Sequence, residues 1–73
     1  MNNYIAKYRT NAYMFDGGAW MPDPEPHSDE RVFRAKSSRE ARKMAEERKI
    51  EIGQRYYRAR VTLESLFKVE EVV

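Results

Sequence analysis

Six basic residues occur as three pairs in separate parts of the chain, with the two members of each pair two positions apart. Side chains two positions apart in a β-strand lie on the same face, so each pair can present two positive charges to one anionic ligand. Arginine and lysine neutralise phosphate groups, and a neighbouring tyrosine can stack on a base. The candidate nucleic-acid-binding residues are Lys7, Arg9, Arg34, Lys36, Tyr56, Arg58 and Arg60, with Tyr13 as a second candidate for stacking.

The charge of the chain is unevenly distributed, although the net charge is only +2. Residues 16–30 contain five carboxylates and no lysine or arginine, whereas residues 31–60 contain eleven cations against four carboxylates. Such a positive block indicates an anionic partner, either nucleic acid or an acidic protein surface. A solvated basic face, offset by Glu64 or by the acidic segment folding across it, gives the same pattern, because small proteins keep cations on open sheets for solubility.

His27 is the single histidine, and Asp23, Glu25 and Asp29 lie near it in the sequence. Three prolines in the same segment leave the geometry of such a cluster loose, and its spacing matches no known metal-binding loop. No nucleophile stands at a recognisable spacing from the histidine. The sequence therefore predicts no metal, no cofactor and no catalytic residue, and it favours a binding module over an enzyme.

Alternation of apolar and polar residues predicts the strands that must hold the basic pairs. The alternation covers residues 3–15 and 31–36, where it predicts two half-buried strands. It returns over residues 55–73, mostly with apolar side chains at odd positions. This last stretch is longer than a usual strand, so we expect a bulge or bend near Ser65, or two strands.

A helix is predicted over residues 38–52, between the second and third strands. Ser37 and Glu40 form the capping-box pattern, in which the serine oxygen accepts a hydrogen bond from the first helical turn and the glutamate side chain accepts one from the Ser37 N–H. The predicted apolar stripe is Ala41, Met44, Ala45, Ile52 and the aliphatic stem of Arg48. The predicted ion pairs on the solvated faces are Glu40–Lys43, Arg42–Glu46 and Lys43–Glu47.

Residues 16–30 are predicted to form a long acidic connection. Asp16-Gly17-Gly18 is typical of a turn, and three prolines disfavour regular structure after it. Trp20 is the largest apolar group of this connection, and it either covers an edge of the core or anchors a partner. The acidic side chains can also occupy the basic face and compete with an external polyanion.

These elements predict one α+β domain spanning residues 1–73. A hairpin makes the first two strands antiparallel, and the helix returns the chain so that the third strand pairs beside the first. We expect a two-layer ββαβ fold with an antiparallel sheet of order 2-1-3, one helix on one face, and an optional extra strand at the C-terminus. The basic pairs then share the face away from the helix.

Composition adds expectations about context. A chain of 73 residues without cysteine has a marginal core and no disulfides, so a homodimer or a bound partner is a natural supplement. No apolar run reaches the length of a membrane span, and the first residues lack the pattern of a signal peptide. The sequence therefore predicts a cytoplasmic protein that does not engage membranes.

Two segments of the chain resemble a known group of proteins. They are residues 32–41, with the sequence VFRAKSSREA, and residues 61–66, with the sequence VTLESL. The run A-x-S-x-x-E-A at a strand-to-helix junction resembles small ββαβ accessory proteins of phages and mobile elements. The long proline-containing segment departs from the short hairpin common in such proteins. The resemblance implies an accessory, non-enzymatic role and transfers no functional residues. A protein–protein interaction or inhibitor module is the alternative to polyanion binding.

Overall fold

The computed structural model describes residues 1–70, and it contains the predicted helix, three strands that overlap the predicted ones, and one short additional strand. They are β1 (Asn2–Asp16), β2 (Ala19–Pro22), β3 (His27–Ala35), α1 (Ser38–Gly53) and β4 (Tyr57–Val69). All strand pairs are antiparallel, and all involve β1. Helix α1 packs on one face of the sheet, which confirms the predicted α+β fold with the first strand in the centre.

The central strand uses its two edges differently. Tyr4 pairs with both Phe33 and Lys68, and Tyr13 pairs with both Pro22 and Tyr57. Strand β4 therefore occupies one edge of β1, while β3 and β2 follow one another along the other edge. The predicted order 2-1-3 corresponds to β3-β1-β4, with β2 as an addition at the far end of β1.

Small residues bring the helix close to the sheet. The core consists of alternate residues of β1 and β3 together with three residues of the predicted helical stripe: Tyr4, Ala6, Tyr8, Phe33, Ala35, Ala41, Ala45 and Ile52. The Tyr8 hydroxyl donates a hydrogen bond of 2.8 Å to the Ala45 carbonyl of the helix. Burial disfavours the charged phenolate and raises the pKa of Tyr8 above its ordinary value. This contact fixes the helix over the middle of β1.

The serine half of the predicted capping box forms at the start of the helix, whereas the return bond from the Ser37 N–H to the Glu40 side chain is not formed within the described residues. Ser37 has an extended backbone, and its Oγ accepts a hydrogen bond of 3.2 Å from the Glu40 N–H. The Ala41 N–H donates to the Ser37 carbonyl at 2.9 Å. The bond to Oγ satisfies an N–H that has no partner within the helix, and the bond to the Ser37 carbonyl is the first regular i→i−4 bond of the helix.

The acidic segment contains more regular structure than the sequence predicts. Gly17 and Gly18 both have positive φ, 61° and 85°, which fits the two-residue turn of a tight hairpin. Residues 19–22 therefore pair with β1 as β2, and Pro22 is tolerated because it ends that strand. Residues 27–30 belong to β3, so the irregular connection shrinks to residues 23–26.

Strand β4 contains two register shifts relative to β1, and the first confirms the bulge expected near Ser65. Lys7 pairs with Ser65 and Tyr8 pairs with Leu63, so Glu64 is an extra residue. Because side chains alternate along a strand, one extra residue moves the odd positions to the opposite face of the sheet. Phe67 therefore lies on the face away from the helix, contrary to the simple odd-position pattern.

The second register shift lies near the start of β4. Asn11 pairs with Arg60 and Tyr13 pairs with Tyr57, which leaves one extra residue in β4 between these pairs. Arg58 lies in this bulge with a φ of +50°, in the left-handed region. From residue 57 to residue 69 the strand is continuous, so the alternative of two strands is wrong there. Residues 71–73 of the predicted strand lie outside the described residues.

The hairpin formed by β1 and β2 extends beyond the helix-covered core. Val61, which lies beside the end of α1 at Gly53, pairs with Thr10, whereas β2 pairs with residues 13–16 of β1. The molecule is elongated as a result, with principal extents of 53 × 22 × 14 Å. Within residues 1–70 no helix is long and apolar enough to cross a membrane.

Candidate nucleic-acid interface

The sheet face away from helix α1, called here the open face, carries most of the predicted basic residues. Odd-numbered residues of β1 point to it, because the even-numbered ones form the core. Their cross-strand neighbours point the same way. The structure therefore places Lys7, Arg9, Arg34 and Arg60 on the open face. Arg58 joins them, since its guanidinium lies over the rings of Tyr13 and Tyr57.

Two of the predicted residues lie elsewhere. Lys36 follows the end of β3 and is exposed in the bend before the helix. Tyr56 precedes β4 and packs against the core, where its ring stacks on His27 with centroids 4.4 Å apart. His27 pairs with the buried Thr10, which places this stack on the helix side. Tyr56 therefore cannot stack a base on the open face, and its prediction as a nucleic-acid-binding residue of that face is wrong.

Carboxylates neutralise the centre of the open face. Lys7 Nζ lies 3.6 Å from Glu30 Oε1, and Arg9 Nε lies 3.7 Å from Glu64 Oε1. Glu30 reaches Lys7 because the two residues are paired across β1 and β3, and Glu64 reaches Arg9 from the bulge of β4. We call these four residues the central region. Its two cations attract an external anion weakly, because each already has a counter-charge.

The acidic segment contributes little else to the open face. Asp23 pairs with His27 at 3.2 Å, and Asp29 lies 3.8 Å from both Arg31 and Arg55. These contacts are local or lie away from the open face, because Asp29 pairs with the core residue Tyr8. Among the described residues, Glu30 is the one carboxylate of the acidic segment that contacts a predicted cation of the open face.

A second part of the open face, where the β1–β2 hairpin extends beyond the core, contains aromatic residues instead of carboxylates. Four aromatic residues crowd the open face there, and their side chains are partly or largely exposed. The Trp20 ring lies 4.1 Å from the Tyr57 ring and 5.5 Å from the Phe15 ring, measured between centroids. We call this group the hairpin end, and it consists of Tyr13, Phe15, Trp20, Tyr57, Arg58 and Arg60.

The two arginines of the hairpin end have no carboxylate partner among residues 1–70. The Arg58 guanidinium carbon lies 5.7 Å from the Tyr13 ring centroid and 5.5 Å from the Tyr57 centroid. These are cation–π distances, and such contacts leave the guanidinium N–H groups free to donate to a ligand. The hairpin end therefore combines π faces with available positive charge.

The backbone of Arg58 is strained. A non-glycine residue in the left-handed region costs about 1–2 kcal/mol, and glycine would occupy the same position without that cost. Strain of this kind is concentrated at functional sites. Here the bulge brings both Arg58 and its neighbour Tyr57 to the open face, whereas a regular strand would place two consecutive side chains on opposite faces.

Sequence reasoning found the arginines of this site but missed two of its aromatic residues. Tyr57 occupies an odd position of the last strand, and alternation predicts that it shares a face with the apolar side chains at the other odd positions. The bulge at Arg58 moves Tyr57 to the open face, and no pattern in the sequence reveals a positive φ at an arginine. Phe15 is the last residue of the predicted first strand, and the signal that could have found it is the Asp16-Gly17-Gly18 turn that follows, which is typical of a hairpin.

The remaining candidate chemistry is limited in the described part of the chain. Among residues 1–70 no group of three or more His, Asp or Glu side chains is arranged to hold a metal ion. His27 instead contacts Asp23 and Tyr56.

Comparison with protein-family models, with curated proteins and with solved structures finds no match to this chain. The likeness of residues 32–41 and 61–66 to small accessory proteins of phages and mobile elements therefore stays a prediction.

Proposed function

We propose that the protein is a small, non-enzymatic, cytoplasmic module that binds nucleic acid or another polyanion through the open face of its sheet. The observation that carries this proposal is the hairpin end, where four exposed aromatic rings lie on the same face as two arginines that have no carboxylate partner within residues 1–70, and two of those rings contact Arg58. Aromatic rings on an open sheet stack bases, and arginines beside them neutralise phosphates.

The aromatic composition favours single-stranded nucleic acid over a duplex. Bases in a duplex are stacked on one another and cannot lie on a protein ring, whereas a single strand exposes them. Each base stacked on an aromatic side chain contributes about 1–3 kcal/mol, largely independent of sequence. We therefore expect binding with little sequence preference.

Fluorescence of the single tryptophan tests the proposal directly, because Trp20 lies within the hairpin end. A single-stranded oligonucleotide should quench it, and the affinity should fall log-linearly with salt concentration. A duplex of the same length should bind more weakly. Inorganic polyphosphate, which has no bases, separates a general polyanion site from a nucleic-acid site. Absence of binding by all three polyanions at low salt would refute the proposal.

A second candidate function is interaction with a protein, and a different part of the open face favours it. Ile5 pairs with Val32 on one side and Phe67 on the other, which forms an apolar row across three strands. Val32 is 69% exposed and Phe67 is 44% exposed. Such a row fits an acidic partner with an apolar centre, or a second copy of the chain.

Two measurements separate this candidate from nucleic-acid binding. Sedimentation equilibrium gives the oligomeric state, and Val32→Glu should dissociate a dimer that uses the apolar row. Capture of one partner protein from nuclease-treated extract, abolished by Val32→Glu but not by Trp20→Ala, would favour the interaction module.

A further inference from the structure

A basic groove lies on the helix side of the molecule, between the first half of α1 and the end of β4. Its volume is about 770 Å³. Lys68 contributes to it from the sheet and pairs with Tyr4, a core residue, so the groove is on the opposite side of the sheet from the open face. Tyr4 and Leu66 form its apolar floor, and its cations are Arg39, Arg42, Lys43 and Lys68.

The helix cations in the groove are not engaged in the ion pairs that the sequence predicts. Spacing alone predicts partners for Arg42 and Lys43 among the helix carboxylates, yet the pairs formed within α1 are Lys49–Glu46 at 2.9 Å and Arg48–Glu51 at 3.5 Å. Within residues 1–70 no carboxylate lies within 4.0 Å of Arg39, Arg42 or Lys43. The second half of the helix is therefore neutralised, and its first half is not.

Stability does not account for this arrangement. Arg39, Arg42 and Lys43 are three and four positions apart, so they are neighbours on the helix surface, where like charges repel. Arg39 also lies in the first turn, where the helix dipole disfavours a cation. Lys68 adds a further positive charge from another element. An anion in the groove would relieve all of these repulsions together.

We propose that the groove between α1 and β4 binds a ligand with two or more adjacent phosphate groups. Arginine matches phosphate through two parallel N–H donors, and two arginines and two lysines around one groove provide charge for more than one phosphate. The apolar floor lowers the local dielectric constant and strengthens these contacts. The phosphates belong either to a free polyphosphate, such as that of a nucleotide, or to the backbone of a nucleic acid.

Inorganic triphosphate is the probe for this site, and an NMR titration of the full chain detects its binding through changes in the amide chemical shifts. It should shift the signals of residues 38–43 and 66–68 and leave those of residues 13–22 unchanged. The double variant Arg42→Gln/Lys43→Gln should weaken binding about tenfold or more, because each lost charge-assisted contact carries a substantial share of the affinity.

The matched control is Arg48→Gln/Lys49→Gln, which removes the same charge from the same helix at residues that already have partners. It should change the affinity by less than about threefold. Equal weakening by both double variants, or shifts spread evenly over the molecule, would show diffuse attraction and overturn the proposal. Absence of shifts in the groove residues would overturn it as well.

A second titration identifies the source of the phosphates. If a single-stranded oligonucleotide displaces triphosphate from the groove, the backbone of a nucleic acid is the source. If the two bind independently, the ligand is a free polyphosphate. The triphosphate experiment decides the groove proposal, and the function proposed for the open face does not depend on that experiment.

Discussion

The central region and the hairpin end of the open face each contain two of the predicted cations, but their neighbours differ. Lys7 and Arg9 each have a glutamate within 4 Å. Arg58 and Arg60 have none in residues 1–70, and aromatic rings surround Arg58 instead. Charge counted along a sequence is therefore not the charge available to a ligand, since pairing across the sheet decides how much of it is free.

The substitution Trp20→Ala should have the largest effect on binding. It removes the ring that contacts both Phe15 and Tyr57, so at least one stacked base is lost and the affinity should fall about tenfold or more. Anisotropy of a labelled single-stranded oligonucleotide measures it. Phe67→Ala removes an exposed aromatic ring of the same face outside the hairpin end, and it should leave the affinity within about twofold. Equal losses in both variants would erase the distinction between the two regions.

The substitution Arg58→Gly should separate binding from stability. Loss of the guanidinium should weaken binding about three- to tenfold, because one charge-assisted contact disappears. The free energy of unfolding should stay constant or rise by up to about 1 kcal/mol, because glycine adopts the positive φ of residue 58 without strain.

Arg60→Gly is the control for this pair of effects, since Arg60 lies in a regular part of β4 opposite Asn11. It should also weaken binding, but it should lower the free energy of unfolding by about 0.5–1 kcal/mol. Chemical denaturation measures both variants. A lower stability for Arg58→Gly than for Arg60→Gly would contradict the assignment of strain to residue 58.

Removing the carboxylates of the central region should make it resemble the hairpin end. Glu30→Gln and Glu64→Gln each release one cation, so each should tighten oligonucleotide binding about two- to fivefold at low salt, with no gain at high salt. Glu25→Gln changes the net charge equally but frees no cation of the open face, and it should have a smaller effect. Equal tightening by all three variants would show that the net charge of the protein, and not the release of a paired cation, controls the affinity.

The smallest effect on binding is expected from Tyr8→Phe, which acts beneath the central region on the helix side. Loss of the hydroxyl removes its bond to the Ala45 carbonyl and should lower the free energy of unfolding by about 1 kcal/mol, while the affinity stays unchanged. A changed affinity at constant fold would show that the open face depends on this contact.

The raised pKa of Tyr8 also predicts that the pH dependence of the free energy of unfolding changes in Tyr8→Phe. Burial raises this pKa in the folded protein above 10.0, so the folded state holds the proton more tightly than the unfolded chain. The contribution of Tyr8 to stability is therefore complete below about pH 10 and declines as the pH rises further through the folded pKa. Tyr8→Phe should lose that part of the alkaline decline, which denaturation series at several pH values measure.

The parts of the fold that sequence predicted well are those in which local pattern and burial agree. Even positions of β1 form the core, Ser37 caps the helix, and Ala41, Ala45 and Ile52 pack on the sheet as the stripe predicts. Each of these features depends on neighbours within a few positions in the chain. For that reason, the α+β architecture could be predicted from the sequence alone.

The features that were missed arise where strands meet across the sheet. The bulges at Arg58 and Glu64 each insert one residue, and this change moves Tyr57 and Phe67 to the open face. Proline content also concealed β2, although Pro22 disturbs only its last position. Bulges and cross-strand ion pairs depend on the register between distant segments, which alternation within one segment does not specify.

The central claim is that Arg58 and Arg60 of the hairpin end, rather than Lys7 and Arg9 of the central region, provide free charge to a ligand on the open face. The most direct measurement compares two double variants of equal net charge, Arg58→Gln/Arg60→Gln and Lys7→Gln/Arg9→Gln, by salt titration of single-stranded oligonucleotide binding. The first should weaken binding strongly and reduce the salt slope by about 1.4, the value for two lost phosphate contacts, whereas the second should change the slope by less than half as much. Equal losses of affinity and slope in both variants would contradict the claim.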